Sequence, residues 1–320
     1  MRLLGVDVGG TKTHILIVDE LGNVIVFEEG PGANYQGVGV EKAYQTLKRL
    51  IEKALKSASL SLDELDAAFF GVAGADFEYE NRVVQSILER LGLKRYAFDN
   101  DGRIALRSGT FDDVGIMISC GTGGINYACD GKRMERIGGF SSFFGERLGS
   151  YIIAGKVASA ILRAKDGRSE NTVMVEMFES QIASKIEDIM HYEYEGDYEK
   201  MRDYAVLLIR TLYSAARDHD FVALKILCEI VDEVVRIVEA FRKKLNFTPP
   251  IKLVLEGSFF KNADPILLNM ICSALGRDYR LIVPKHPPVV GAVLLASELV
   301  GCSFSDRAIE KLIGFWGDQT

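Results

Sequence analysis

Between Leu3 and Glu29 three apolar runs, LLGV, ILIV and VIVF, are separated by GGTKT and by DELGN. Short apolar runs bounded by Gly, Asn and Asp read as strands, and the Gly22-Asn23 pair marks the second break as a hairpin. The stretch EKAYQTLKRLIEKALKS, residues 41–57, instead sets apolar positions at helical spacing with Lys and Glu between them. A buried strand follows in LDAAFFGVAGAD, then an amphipathic helix near 80–92 and the strand RYAFDND. Alternation of this kind predicts an α/β sheet covered by helices.

At Gly115 the opening pattern returns, as GIMISCGTGGINYACDGKRMERIGG again gives strand, glycine turn, strand, DG turn and strand. Aligning Gly9 with Gly121 sets His14 over Asn126 and Ile15 over Tyr127, so the chain reads as internally duplicated. Two similar folds facing one another would bring both turns to one cleft. From about Ser150 to Leu245 the pattern is helical, with long periodic runs such as VALKILCEIVDEVVRIVEAFRKKL. Sheet signal resumes at IKLVLEGSFF and YRLIVP, a helix follows PKHPPVVGAVLLASELVG, and a last amphipathic helix lies near 306–315. The polar stretch RSGTFDD marks the boundary, which predicts a first lobe over 1–109 and a second over 110–304 with a helical insertion at about 150–245. The helix at 305–316 is expected to pack back on the first lobe.

Composition narrows the classes. The 320 residues, 48% hydrophobic and 26% charged, suffice for two cores. With 38 basic against 45 acidic side chains the net charge is −7, which supplies no field for nucleic acid. No apolar run reaches the roughly 18 residues of a membrane span and no leader precedes the first strand, so a cytoplasmic protein without a membrane partner is expected. The five cysteines, Cys120, Cys129, Cys228, Cys272 and Cys302, lack CxxC spacing and read as small hydrophobes.

Gly9, Gly10 and Thr11 follow a strand, where bare backbone N–H groups can face an anion, Thr11 and Thr13 add hydroxyls, and Lys12 adds charge. A plain hairpin is the other reading, since the stretch is neither a Walker A loop nor GxGxxG. Gly121, Thr122, Gly123 and Gly124 form a second such turn, and two turns at corresponding places suggest a nucleotide polyphosphate. Asp7, just ahead of the first turn, suits Mg²⁺, which takes one or two carboxylates beside phosphate oxygens; a turn-stabilising acid is the alternative. Asp101 in FDNDGRIALRSG stands at a strand end where a helix begins, either as its N-cap or as a general base for phosphoryl transfer. His14 reads as a core or wall histidine, and His191, His219 and His286 sit in polar surroundings without a paired carboxylate.

DVGGTKT, GVAGAD, DND, ISCGTGG, GGFSSFFGERLGS, LEGSFFKN and PPVVGAVLLA occur in the order and approximate spacing of one group. Through them the chain resembles the BadF/BadG/BcrA/BcrD ATPase and N-acetylglucosamine kinase family of the sugar kinase, Hsp70 and actin superfamily, over nearly its whole length. The resemblance implies two ribonuclease-H-like, actin-like α/β domains with ATP and Mg²⁺ in an inter-lobe cleft. It would make Asp7 the metal residue, Asp101 the base, and Gly9–Thr13 and Gly121–Gly124 the phosphate turns. Gly257, Ser258 and Asn262 would line the adenosine pocket, and Asn34, Tyr35, Gly74, Asp101, Gly139 and Glu146 the acceptor sugar.

GERLGS stands where GDEGS is usual, and GTGG where GTGS is usual, changes sufficient to alter which hydroxyls are read. The implied activity is an ATP-dependent kinase acting on a sugar or amino sugar, in a homodimer. Two other readings stay open: an ATPase that activates a dehydratase or reductase through an iron–sulfur cluster, for which Cys120 before GTGG speaks, and a non-catalytic regulator. The cysteine-rich zinc motif of ROK-type sugar kinases does not occur in the sequence.

Overall fold

The computed structural model describes residues 1–121, 123–140 and 142–317. The chain divides into two compact units, one formed by Met1–Met117 with the segment from Pro284 onward, the other by Ile118–Val283. The first unit opens with strands β1 (Arg2–Val8), β2 (Lys12–Asp19) and β3 (Val24–Pro31) and helices α1 (Tyr35–Val38) and α2 (Val40–Ala58). It continues through β4 (Ala67–Val72), α3 (Glu78–Glu89), β5 (Tyr96–Asp99) and α4 (Asp101–Thr110). Strands β6 (Gly115–Cys120), β7 (Gly124–Cys129) and β8 (Met134–Ile137) lead to helices α5 (Ser150–Lys165), α6 (Met174–Ile182), α7 (Met190–Tyr194), α8 (Tyr198–Arg217) and α9 (Phe221–Lys244). Then come β9 (Ile251–Glu256), α10 (Ser258–Lys261), α11 (Pro265–Leu275) and β10 (Tyr279–Ile282), and last α12 (Val289–Glu298) and α13 (Asp306–Gly317).

Both sheets have five strands and the same plan, in the orders β3-β2-β1-β4-β5 and β8-β7-β6-β9-β10. Replacing each strand of the first sheet by the one five places later gives the second, so the duplication read from the glycine turns is one of topology. In the first sheet β1 pairs antiparallel with β2 and parallel with β4, and β4 pairs parallel with β5. The carboxyl ends of β1, β4 and β5 therefore share one edge, where open α/β sheets take their ligands.

The first sheet is covered on both faces, which explains why β1 and β4 carry almost unbroken apolar runs. Leu4, Val6, Ile15, Ile17 and Phe70 face α2 and α3, meeting Leu47, Ile51, Val84 and Leu88. Leu3, Leu16, Val18 and Phe69 face the other way, toward Ile104 of α4, Val289–Ala296 of α12 and Leu312 of α13. Residues 284–304 thus belong with the first unit, where a sequence boundary at 304 had put them with the second. Helix α12 is apolar all round and buried from Val289 to Ser297, the signature of a helix enclosed on every side. Two glycines admit it: a Cβ on Gly5 would stand 2.9 Å from the Val289 carbonyl oxygen, and one on Gly291 would stand 1.9 Å from that of Ile104. Trp316 of α13 meets Phe27 edge-on, with centroids 4.5 Å apart. Among the described residues no helix is long and apolar enough to cross a membrane.

Candidate active site

In the first unit the turn after β1 is a tight hairpin, closed by the Gly9 N–H donating to the Lys12 carbonyl at 3.0 Å. The loop after β3 lies against it, as Gly32 N donates to Thr11 O at 3.1 Å and Asn34 N to Gly9 O at 3.3 Å. A Cβ on Gly10 would meet nothing within 4 Å, so packing does not explain that glycine and the space before it is open. Thr11 and Lys12 are exposed, with Lys12 Nζ 3.2 Å from Glu29. Thr13 points inward, fully buried, its hydroxyl without a partner. It therefore does not offer that hydroxyl at the turn surface, where Thr11 is exposed.

Hairpin register sets Asp7 opposite His14, and His14 opposite Glu29, in one cross-strand row. His14 Nε2 lies 2.9 Å from a Glu29 oxygen and Nδ1 3.5 Å from Asp7 Oδ2, with Nδ1 buried and making no hydrogen bond. His14 is thus more than a wall residue: it borders the carboxylate expected to hold the metal. The register itself could have revealed this, since positions summing to 21 face each other across the turn.

Asp101 is the first residue of α4, and its neighbour Asn100 is the cap, accepting from the Gly102 N–H at 2.8 Å. The capping reading of Asp101 therefore falls to Asn100. Burial, and then the charges of Asp7 and Asp76, push the Asp101 carboxyl up to about 7. Asp99, two residues earlier at the end of β5, is also raised, chiefly by burial. Asp76 accepts from Asn100 Nδ2 at 2.6 Å. The site thus holds three acids, Asp7, Asp76 and Asp101, at the ends of β1, β4 and β5. Asn34 caps α1 through Gln36 N at 3.0 Å, Tyr35 follows it, and Gly74 (φ 82°) abuts Gln36, whose Oε1 a Cβ there would approach to 2.5 Å. Asp76 and Glu80 were not singled out in the sequence, where each reads as an ordinary loop or helix-start residue.

In the second unit Gly121 N donates to Gly123 O at 2.9 Å, and Ser150 N at the start of α5 donates to Gly121 O at 2.7 Å. Thr122 lies outside the described residues. A Cβ on Gly123 would meet nothing within 4 Å, as at Gly10. Gly124 packs on Leu148, and Gly257 (φ 96°) packs on the Cys120–Gly121 peptide, where a Cβ would stand 2.5 Å from the Cys120 carbonyl. This brings Gly257, Ser258 and Asn262 beside the turn, with Ser258 and Asn262 exposed. Glu146 accepts from Gly139 N at 2.9 Å and from Arg147 N at 3.1 Å. Asn126, the counterpart of His14, is buried and donates to Ile137 O at 3.0 Å, while its own carbonyl oxygen has no partner.

The cysteines depart from the uniform reading, since Cys228 and Cys272 are exposed. Burial pushes the Cys120 thiol up to about 12. Likewise His286 is buried against the Ser108 carbonyl, at 3.0 Å, and not in polar surroundings. For Mg²⁺ the donor type fits: Asp7, close to His14 at the end of β1, offers a carboxylate, the ligand that ion takes beside waters and phosphate oxygens.

Paired five-stranded sheets opening on glycine turns, with acids at the strand ends, define the actin-like class of two-domain α/β phosphotransferases and ATPases. A candidate N-acetylglucosamine kinase from Chromobacterium violaceum shares the fold, with TM-score 0.74 and 22% identity over 92% of this chain and 98% of that one. Within this class the chain belongs to the BadF/BadG/BcrA/BcrD ATPase family, whose model matches residues 4–296. It is 28% identical over 303 residues to the N-acetylmuramic acid/N-acetylglucosamine kinase of Clostridium acetobutylicum, covering 92% of this chain and 97% of that protein. It is 26% identical over 310 residues to the N-acetyl-D-glucosamine kinase of Dictyostelium discoideum, again at 92% and 97% coverage.

Proposed function

We propose that the protein is an ATP-dependent kinase that phosphorylates a hydroxyl of a sugar or amino sugar, with N-acetylglucosamine or glucosamine as the acceptor type. The observation that carries this is Asp101, exposed enough to meet a ligand and pushed up to about 7 by burial and by Asp7 and Asp76. A base poised there takes a proton from a hydroxyl near neutral pH. The names of the two kinases at 28% and 26% identity support the acceptor class.

In this reading Asp101 accepts the hydroxyl proton as the oxygen attacks the γ-phosphorus of ATP, and ADP leaves. Asn34, Tyr35, Gly74, Gly139 and Glu146 orient the sugar. Gly9–Thr13 and Gly121–Gly124 hold phosphate oxygens through backbone N–H groups, and Gly257, Ser258 and Asn262 hold adenosine. Asp7 holds Mg²⁺, which when bound neutralises phosphate charge. The protein acts in the cytoplasm as a homodimer, a state that light scattering would report as twice the chain mass. The decisive experiment is ADP release with Mg-ATP across glucosamine, N-acetylglucosamine, N-acetylmuramic acid, glucose and mannose, with the phosphorylated product identified by phosphorus NMR. Transfer to one or more of these, lost at least a hundredfold in Asp101→Asn, is expected; full turnover by that variant would remove Asp101 as the base.

A further inference from the structure

Glu80 is an acid with no place in the chemistry above, yet it is 4% exposed and uses both oxygens. One, Oε2, accepts from the backbone N–H groups of Asp76 and Phe77, both at 3.0 Å. That much is the work of a glutamate at the third position of a helix, closing the start of α3. The other, Oε1, accepts from Gln36 Nε2 at 2.7 Å, across 44 positions of sequence, and from the Tyr79 hydroxyl at 3.2 Å. A helix cap requires no partner of this kind.

The bonds run on at both ends. Beyond Gln36, its own N–H is held by Asn34 Oδ1 at 3.0 Å, and the Asn34 N–H donates to Gly9 O at 3.3 Å. Beyond Asp76, its carboxylate accepts from Asn100 Nδ2 at 2.6 Å, and Asn100, 1% exposed, caps the helix that begins with Asp101. Gly74 leaves the room that the Gln36 amide occupies. A single path of hydrogen bonds therefore joins the first glycine turn, the Asn34–Tyr35 loop, the loop ahead of α3 and the start of α4. Charge-assisted bonds to a buried carboxylate are the strong ones, and they hold short loops that have little core of their own.

We infer that Glu80 is a positioning residue for the acceptor, fixing the Asn34–Tyr35 loop through Gln36 and, through Asp76 and Asn100, holding that loop in register with Asp101. The inference rests on the kinase reading for its consequence but not for its geometry. Removing the link lets the loop sample other positions, so the acceptor is held less tightly, while the groups assigned to ATP meet this path only at its far end, where the Asn34 N–H reaches the Gly9 carbonyl.

The test uses the full chain with Gln36→Leu, Glu80→Gln and the conservative Gln36→Asn. Gln36 is exposed on a one-turn helix, so its replacement leaves the core intact even where the Glu80 variant folds poorly. In Gln36→Leu the acceptor KM is expected to rise about tenfold with the ATP KM within twofold, a loss of roughly 1.4 kcal/mol in acceptor binding. Amide exchange at residues 35–39 should quicken by a similar factor, and Gln36→Asn should recover part of both. Unchanged acceptor KM and unchanged exchange in Gln36→Leu, with Glu80→Gln lowering only the melting temperature, would leave Glu80 a plain helix cap and overturn the inference. If the native enzyme transfers phosphate to no sugar, the kinase reading fails on its own. The exchange measurement then decides the clamp: faster exchange in Gln36→Leu supports it, unchanged exchange refutes it.

Discussion

Asp101 carries the most consequential residue-level property, a carboxyl raised to about 7 first by burial and then by two acid neighbours. A base acts deprotonated, so kcat/KM is expected to climb with pH at unit slope below about 7 and to level above it. A pH profile that is flat from 5 to 8, on the scale of the ordinary carboxylate near ~4, would contradict the assignment. The same group has a stability signature of definite sign. Its folded value exceeds its unfolded one, so the folded state holds the proton more tightly, and stability is lost as pH rises from about 4 toward about 7. Asp101→Asn should therefore gain stability over the native protein at pH 8 and little at pH 4.5, read by thermal melts in EDTA. From sequence the acid was visible in FDNDGR, but its choice between cap and base was not. That depended on Asn100 taking the cap, a matter of backbone dihedrals one residue apart. Glu80 was opaque for a related reason, since its partner Gln36 is set by loop packing, whereas the hairpin register made the facing of His14 and Asp7 readable.

At the scale of elements, strands and long helices were legible because burial imposes a period of two or a helical period on the residues themselves. The hairpins, α2, α9 and the strand–helix alternation all follow from that pattern. The assignment of α12 to the first unit was not, since VVGAVLLAS would be equally content in any core. What selects its place is shape: Gly291 lets the helix lie against the backbone of α4, with a Cβ there 1.9 Å from the Ile104 carbonyl. Gly291→Ala is expected to destabilise the protein by about 1–3 kcal/mol through overpacking, lowering the urea midpoint with little change in slope. Gly155→Ala is the matched control. It lies inside α5 with nothing within 4 Å of the added carbon, so it should stabilise by about 0.5–1 kcal/mol. Equal effects of the two substitutions would show that helix propensity, and not the fit of α12, governs the first site.

For the whole molecule, a net charge of −7 works against an anionic ligand, so binding of ATP rests on local donors and on a cation that offsets phosphate charge. With Mg-ATP at a hundred times its dissociation constant, the folded state should gain about 2.7 kcal/mol and melt higher. Asp7→Asn should abolish the part of that shift that depends on Mg²⁺, whereas no shift with either nucleotide form would exclude nucleotide binding. By itself the sequence determined the α/β class, the duplicated opening of each half and the two glycine turns, because hydrophobic periodicity and glycine placement are local and repeat along the chain. The tertiary structure alone decided that α12 completes the first unit, where α13 was already expected, and that Asn100 frees Asp101 from the cap. It alone decided, too, that Glu80 meets Gln36 across 44 positions of sequence. Each of these depends on which surfaces meet after folding, and residues as far apart as Gln36 and Glu80, or Gly5 and Val293, carry no mark of one another until the backbone brings them within a few ångströms.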